Sequence, residues 1–337
     1  MFLHLGRVMS ETESSNGAGY NKKESSNGRK EASKDADYEV AIIGGGPAGL
    51  TAALWLGRYL HTVALIDSGD PRNWESQGIN GFLGSHGIRS PDLRRCGRED
   101  AEKFGVEFID DAVTAVKNTN SERFVLTLEQ GRSIDARRLL LAIGIRDVWP
   151  RIPGLSDCYG ETAHVCPDCD GYESAGKKIV VVGSGRKATG MALALTTWTD
   201  EIVICTNGEP PDMESAQLDK LKALNIPILE EKISGIRSID SDIRCVDIEG
   251  GMTLDCERLY FAIGQYPADD LGAQLNCKRD DNNLIEIDER YHTSVTNVFA
   301  AGDIVPGPQL AIAAAAEGAM AALAIHSSLV PEKRKLD

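Results

Sequence analysis

The sequence predicts an α/β chain of two Rossmann-like domains, the second inserted into the first, each carrying a small β-meander. Three observations predict it. A strand, a glycine-rich turn and a helix follow one another at two places, "YEVAIIGGGPAGLTAALWLGRYL" from Tyr38 and "KKIVVVGSGRKATGMALALTTW" from Lys177. Each copy runs on into a second apolar strand, then into alternating segments that end in "LLLAIG" or "LYFAIG". After the second copy there remain only one strand, "NVFAAGDIV", and one Ala-rich helix, "QLAIAAAAEGAMAALAIHSSL". That last strand has no neighbour in the second half, so it is expected to return to the first. Near-continuous apolar strands that alternate with helices imply parallel sheets covered on both faces. The repeated plan implies internal duplication.

The elements are justified in order. Residues 1–37 are rich in Ser, Asn, Gly, Lys and Glu and carry "ESSNG" twice, at Glu13–Gly17 and Glu24–Gly28. Such composition cannot bury enough apolar area to offset chain entropy, so a disordered tail is expected. The opening "MFLHLGRV" is too short and too poorly flanked for a secretory signal. Residues 38–150 form the first part of domain one. They hold the first Gly turn, the strand "TVALIDSG", a helical pattern over about 88–104, and the meander "GVEFIDDAVTAVKNT", "RFVLTLEQ", "SIDARRLLLAIG". Residues 151–266 form the inserted domain, with "EIVICT" as its second strand and "RCVDIEG" in its meander. Residues 267–330 complete domain one, and 331–337 are a tail.

Composition bounds the function. The 337 residues carry a net charge of −15 and 42% hydrophobic residues. The charge disfavours nucleic acid, whose phosphates need a basic surface. A run of about 18 apolar residues is missing, so no membrane span is expected. Of eight cysteines only Cys166 and Cys169 are closely spaced. Scattered thiols in a chain of this size suit a reducing, cytoplasmic setting.

The first Gly turn is Gly44-Gly45-Gly46-Pro47-Ala48-Gly49. Gly44 permits the tight turn, Gly46 lets backbone approach a pyrophosphate, and Gly49 lets helix and strand pack closely. The helix N-terminus then offers free N–H groups to phosphates. Asp67 stands at the end of the next strand, where a ribose-binding acid belongs. The second turn, Gly183-Ser184-Gly185-Arg186-Lys187-Ala188, also fits, with Ala in the last place. Its following strand ends in Cys205-Thr206-Asn207, with neither an acid for a ribose nor a basic cluster for a 2′-phosphate. Either a second dinucleotide sits there, held in part by Arg186 and Lys187, or the turn only shapes the domain.

Between the halves stands "HVCPDCDG", His164–Gly171. Three chemistries compete for it. Zinc would recruit Cys158, His164, Cys166 and Cys169, but a second CxxC or HxxxH 12–20 residues away is lacking, so no metal is expected. A permanent structural disulfide does not suit a reducing compartment. A redox pair fits best: one thiolate is readily stabilised and its partner resolves the mixed disulfide. Pro167 stiffens the turn, and Asp170 follows directly to give or take the proton of each exchange step.

With "IIGGGPAGL" at 42–50, "CPDCDG" at 166–171, the second Gly turn, "FAIGQYP" at 261–267 and "TSVTNVFAAGDI" at 293–304, the chain resembles the low-molecular-weight thioredoxin reductase family of flavoprotein disulfide reductases. The resemblance covers residues 38–330. It implies FAD on the first domain, against Gly44, Gly46, Pro47, Ala48, Gly49 and Asp67. Gly302 and Asp303 would close over it, with Gln309, Leu310 and Ala311 at its edge. Cys169 would face flavin C4a, Cys166 would attack the substrate disulfide, and Asp170 would be the acid/base. The family also implies a homodimer, a thioredoxin-like protein partner, and an inserted domain that rotates on two hinge strands, "RIPGL" and "YPADD". The second site, Gly183, Gly185, Arg186, Lys187 and Ala188, would take NAD(P)H.

The chain departs from that pattern at three places. The His-Arg-Arg-like cluster of NADPH users is Cys205-Thr206-Asn207-Gly208; the usually acidic residues after the second turn are Arg186, Lys187, Thr189 and Gly190; and the Arg-Gln pair before "AI" is Gln309-Leu310. NADPH is therefore expected to bind weakly. Diverged branches are fed by ferredoxin or hold a second FAD in its place. Fungal branches, with CPxC and a following "GYE" like Gly171-Tyr172-Glu173, oxidise small dithiols with oxygen.

Overall fold

The computed structural model describes residues 37–120 and 123–335. The expected N-terminal tail lies outside the described residues except for Asp37, whose Oδ2 accepts a hydrogen bond from the Asp135 N–H at 3.3 Å. In chain order the first half contains β1 (Tyr38–Ile43), α1 (Pro47–Arg58), β2 (Val63–Asp67), α2 (Ser90–Glu102), β3 (Glu107–Asp110), β4 (Val113–Asn120), β5 (Arg123–Leu128) and β6 (Ser133–Leu141). A short β7 (Ile145–Asp147) leads to β8 (Ala163–His164), α3 (Pro167–Asp170), β9 (Ile179–Val182), α4 (Gly185–Leu195), β10 (Ile202–Cys205), α5 (Ser215–Ala223) and β11 (Ile228–Leu229). Then come β12 (Ile233–Ile239), β13 (Asp242–Ile248), β14 (Thr253–Asp255), β15 (Arg258–Phe261), β16 (Gln265–Pro267), α6 (Leu271–Gln274), β17 (Val298–Ala300) and α7 (Ala311–Leu329).

Two sheets organise the chain. The first runs β3-β2-β1-β6-β5-β4, and β17 pairs in parallel with the far end of β6. The strand after the second half thus returns to the first sheet. The second sheet runs β11-β10-β9-β15-β8, with β12-β13-β14 as a separate antiparallel meander. Both sheets are buried on two faces, which explains the continuous apolar runs. In β1, Ala41 and Ile43 enter one core while Val40 and Ile42 enter the other. In β9, Ile179 and Val181 divide from Val180 and Val182 in the same way.

α7 has the length and composition of a membrane span, with a mean hydropathy of 1.3. Its buried residues, Ala314, Gly318, Ala321, Ala322 and Ile325, form one helical face in a core shared with α1. A Cβ on Gly318 would lie 2.0 Å from the Ala48 carbonyl oxygen, so α7 presses on the first turn of α1.

One expectation is corrected. Of the two expected joining strands, "YPADD" overlaps β16 at Tyr266 and Pro267, but its partner is not "RIPGL": β16 pairs with β7, antiparallel, Asp147 opposite Gln265 and Ile145 opposite Pro267. Pro150 and Pro153 have no N–H to give a ladder, which pushes the pairing upstream. Within the described part of the expected C-terminal tail, Glu332–Arg334 form one 3₁₀ turn. The meander strand β12 and helix α5 were not anticipated.

Candidate functional site

The Gly turn after β1 opens into a cavity of about 690 Å³ that reaches the Cys166–Cys169 pair. Each glycine has its own reason. Gly44 holds φ +106°, and a Cβ there would meet the Ala142 carbonyl oxygen at 2.3 Å. Gly49 would place a Cβ 1.9 Å from the Gly44 oxygen, so helix and turn are in backbone contact. Around Gly46 nothing lies within 4 Å of a Cβ, which leaves its backbone facing open space where α1 begins. Pro47 and Ala48 form the first turn of that helix. Asp67 closes the side: its Oδ1 accepts the Gly45 N–H at 3.2 Å and its Oδ2 accepts from Arg94.

Gly302, at φ +83°, would bring a Cβ within 3.0 Å of the Ala48 Cβ, so the 302–303 turn sits on α1. Asp303 follows and lines the cavity. Burial raises its carboxyl pKa, and Arg72 opposes that rise. Arg72 Nη1 donates to Asp303 Oδ2 at 3.1 Å and to Gln309 Oε1 at 3.1 Å. Its Nε and Nη2 grip both oxygens of Asp147 on β7, at 2.7 and 2.8 Å. Gln265 on β16 joins through Asp147 Oδ1 at 3.0 Å and through paired amide bonds with Gln309 at 2.9 Å. Leu310 caps α7 and Ala311 begins it, both on the cavity wall. These residues fit FAD: an open-faced glycine at a helix start, an acid at the end of β2, and polar groups continuing along one wall toward the sulfurs.

Cys166 and Cys169 are joined as a disulfide with Cα atoms 5.3 Å apart. Cys166 is the N-cap of α3, and its Sγ accepts the Cys169 N–H at 3.1 Å. That donor favours negative charge on Cys166. Asn80, from the long loop before α2, donates to the Cys169 carbonyl at 3.1 Å. Gly171 lies under Trp198, whose Cζ3 would be 2.4 Å from a Cβ.

Asp170 has 22% of its side chain exposed. Burial pushes its carboxyl up to about 7, and Glu173 adds to the rise. His164, paired across β8 and β15 with Tyr260, places Nδ1 3.5 Å from Asp170 Oδ2. Burial and the Arg258 charge hold this imidazole down to about 4, with a small opposing pull from the Glu161 carbonyl.

The second Gly turn is arranged differently. Gly183 at φ +148° and Gly185 at φ +62° shape it as expected, and Ala188 is buried in the helix behind. But the Gly185 N–H, at the start of α4, is spent on the Pro211 carbonyl at 2.7 Å. A Cβ on Gly185 would meet the Asp212 oxygen at 3.2 Å, so the chain's own loop lies over the turn. Arg186 shares the adjacent hollow with Asp212, Glu214 and Glu230. Lys187 is exposed.

Of the four residues weighed for zinc, Cys166 and Cys169 are joined to each other as a disulfide. Cys158 is buried in the core of the second half. Sequence reasoning brought the Gly turn, Asp67, Asp303, Gln309 and the cysteine pair to one cavity. It missed Arg72, Asp147, Asn80 and Trp198, which lie in loops, on a three-residue strand or beyond a helix end. For Arg72 and Asn80 the one signal was an unusually long link, residues 68–89, between β2 and α2; Asp147 and Trp198 had none.

A family model described as pyridine nucleotide-disulphide oxidoreductase matches residues 38–318. The thioredoxin reductase of Treponema pallidum is 28% identical, in a match that covers 87% of this chain and 97% of that one. The crystal structure of TrxB from Bacillus anthracis matches with a TM-score of 0.82 at 28% identity, over 88% of this chain and all of that one. The crystal structure of HlmI matches with a TM-score of 0.82 at 32% identity, over 87% of this chain and 92% of that one.

Proposed function

The chain belongs to the pyridine nucleotide-disulphide oxidoreductase family, and from that premise we propose that its flavin exchanges electrons with substrate sulfur through Cys166–Cys169 without drawing on NADPH. It is a thioredoxin-reductase-like flavoprotein disulfide oxidoreductase. Such enzymes carry FAD and usually use NADPH, and thioredoxin reductases act on thioredoxin. The observation that carries the departure is the Pro211 carbonyl on the Gly185 N–H. A dinucleotide pyrophosphate needs the free N–H groups of that helix start. Here a carbonyl oxygen takes one of them, and the three carboxylates beside Arg186 repel a phosphate.

FAD, when bound, supplies the two-electron couple for the cysteine pair. The protein's own part is thiol–disulfide exchange. The Cys166 thiolate, supported by the Cys169 N–H, attacks a substrate disulfide and releases the first substrate thiol. Cys169 then attacks Cys166 Sγ, releases the second thiol and closes the Cys166–Cys169 bond. Two electrons go to substrate sulfur, and Asp170 carries a proton of the exchange. The substrate is a thioredoxin-like protein or a small disulfide. A second reading runs the same steps backward, as oxidation of a small dithiol with oxygen as the terminal acceptor of the two electrons. The obstructed second turn favours it, because sulfur itself then supplies the electrons.

The remaining features follow the family. Residues 38–150 with 267–330 serve as the FAD domain, and 151–266 as the inserted domain. The chain works as a homodimer in the cytoplasm, where its five buried free cysteines stay reduced. A ferredoxin-type protein or a second FAD replaces the nicotinamide when the enzyme runs as a reductase.

Anaerobic titration of the purified yellow protein with NADPH, NADH, reduced ferredoxin and dithiothreitol tests the proposal. Dithiothreitol should bleach the flavin and NADPH should not. Bleaching within milliseconds by micromolar NADPH overturns it. The flavin-to-chain ratio after denaturation decides whether the second site holds FAD.

A further inference from the structure

The charges around the exchange disulfide are one-sided. Asp168 stands between the two cysteines, is exposed, and lines the cavity with them. Glu173 is exposed just beyond; burial raises the Asp170 carboxyl, and Glu173 lies near enough to add to that rise. Neither Asp168 nor Glu173 is tied to a cation among the described residues. The basic side chains on the cavity wall are all engaged or neutral. Arg72 is held by Asp147 and Asp303, Arg94 by Asp67, and Arg146 by Asp70. His164 is uncharged at neutral pH, because burial and the Arg258 charge hold its imidazole down to about 4. Arg258 itself gives Nη1 to the Glu257 carbonyl and is not on the cavity wall.

A substrate must bring one of its sulfurs into contact with Cys166 Sγ, so charges that flank that sulfur come close to Asp168. Salt screens poorly at such range, since the Debye length is about 8 Å at physiological ionic strength. We propose that Asp168 and Glu173 select the substrate by charge, favouring disulfides that carry cationic groups beside the sulfur and rejecting those that carry anionic groups there. The inference rests on the exchange role of Cys166 and Cys169. The site is the disulfide itself, and the two carboxylates govern what approaches it. Tyr172, between Gly171 and Glu173, is 80% exposed, and the face of such a ring attracts a cation as well.

The chemistry at sulfur is unchanged. The Cys166 thiolate bonds to one substrate sulfur as the substrate S–S bond breaks, and Cys169 then closes the pair. Two electrons leave with the two substrate thiols. Charge acts on the approach, so the same order holds for dithiols when the reaction runs backward.

The test uses three aliphatic disulfides: cystamine, a dication; 2-hydroxyethyl disulfide, uncharged; and 3,3′-dithiodipropionate, a dianion. The holoprotein is reduced anaerobically with dithionite, freed of the excess and mixed with each, and the return of oxidised-flavin absorbance is followed. Each rate is divided by the rate at which free dithiothreitol reduces the same disulfide, which removes intrinsic reactivity. At low salt the normalised rate for cystamine should exceed that for dithiodipropionate about tenfold, with hydroxyethyl disulfide between them. Salt at 1 M, where the Debye length is about 3 Å, should bring the two within about twofold. Asp168→Asn and Glu173→Gln should each lower the low-salt ratio, and together they should cut it about threefold or more. The control Asp281→Asn/Glu289→Gln removes as much charge at two exposed positions off the cavity wall and should leave the ratio unchanged. A wild-type ratio near one at low salt overturns the charge selection while exchange stands. Equal losses in the two double variants overturn the assignment to Asp168 and Glu173. Flavin that none of the disulfides re-oxidises removes the exchange reading itself, and the inference with it.

Discussion

Arg72 holds Asp147 by both carboxylate oxygens, Nε to Oδ2 at 2.7 Å and Nη2 to Oδ1 at 2.8 Å. The two residues are 75 positions apart, and the pair ties the loop after β2 to the strand that leaves the first sheet. The same guanidinium reaches Asp303 and Gln309 on the cavity wall. An arginine from the other side of the cavity therefore stands beside Gln309, where the family pattern has its own arginine. The planar fork suits this role, because one side chain satisfies three acceptors at once.

Arg72→Ala should cost about 3 kcal/mol, since it leaves Asp147, whose side chain is 5% exposed, without its charged partner and with only the Gln265 amide as donor. Arg72→Lys should recover only part of this, because an ammonium cannot bind two oxygens in parallel. Thermal unfolding and the flavin content after gel filtration measure both. Wild-type flavin retention and melting temperature in Arg72→Ala would show that the network is ornamental.

Asp170→Asn should change the pH dependence of stability with a definite sign. The folded pKa of about 7 lies above the ordinary 3.8, so the folded protein binds this proton more tightly than the unfolded chain. That stabilisation is complete below about pH 4 and is lost as pH rises through about 7. The variant lacks the loss, so its stability relative to wild type should climb across that window. Denaturant curves of the oxidised proteins at several pH values report it. A difference that stays constant with pH rules out a buried, elevated carboxyl.

Gly171→Ala should destabilise by about 1–3 kcal/mol through overpacking, because its Cβ would meet Trp198 Cζ3 at 2.4 Å and the Pro167 carbonyl at 2.6 Å. Trp198 emission should shift, since the indole must move. The double variant Gly171→Ala/Trp198→Ala should lose less than the sum of the single losses, as expected for residues in contact. Strict additivity would place the indole elsewhere.

Gly318→Ala should weaken both stability and flavin retention, because backbone atoms of α1 stand 2.0 Å from the new Cβ and cannot turn aside. Gly190→Ala in α4 is the control. It meets nothing within 4 Å, and a helical Gly→Ala change there should stabilise by up to about 1 kcal/mol. Equal losses in the two variants would mean that α7 does not press on the cofactor helix.

The conflict between the second Gly turn and its surroundings shows where sequence reasoning stops. Gly183, Gly185 and Ala188 satisfy the local pattern and form the expected turn and helix. The pattern says nothing about which acceptor reaches the Gly185 N–H, and a loop 26 positions on from that N–H supplies it. The missing basic cluster at Cys205-Thr206-Asn207 pointed the same way, from composition alone.

The sequence by itself determined the elements whose cause is local. The apolar runs of β1 and β9, the glycines that admit a turn no other residue can make, and the Cys-Pro-Asp-Cys spacing that closes a disulfide over 5.3 Å are all readable along the chain. Tertiary structure alone decided what faces what: Arg72 against Asp147, Trp198 over Gly171, His164 beside Asp170, and β7 rather than the proline-bearing "RIPGL" as the partner of β16. Burial decided the rest. A carboxyl next to a cysteine titrates ordinarily in water, and only the packing around Asp170 takes that water away and lifts its pKa to about 7.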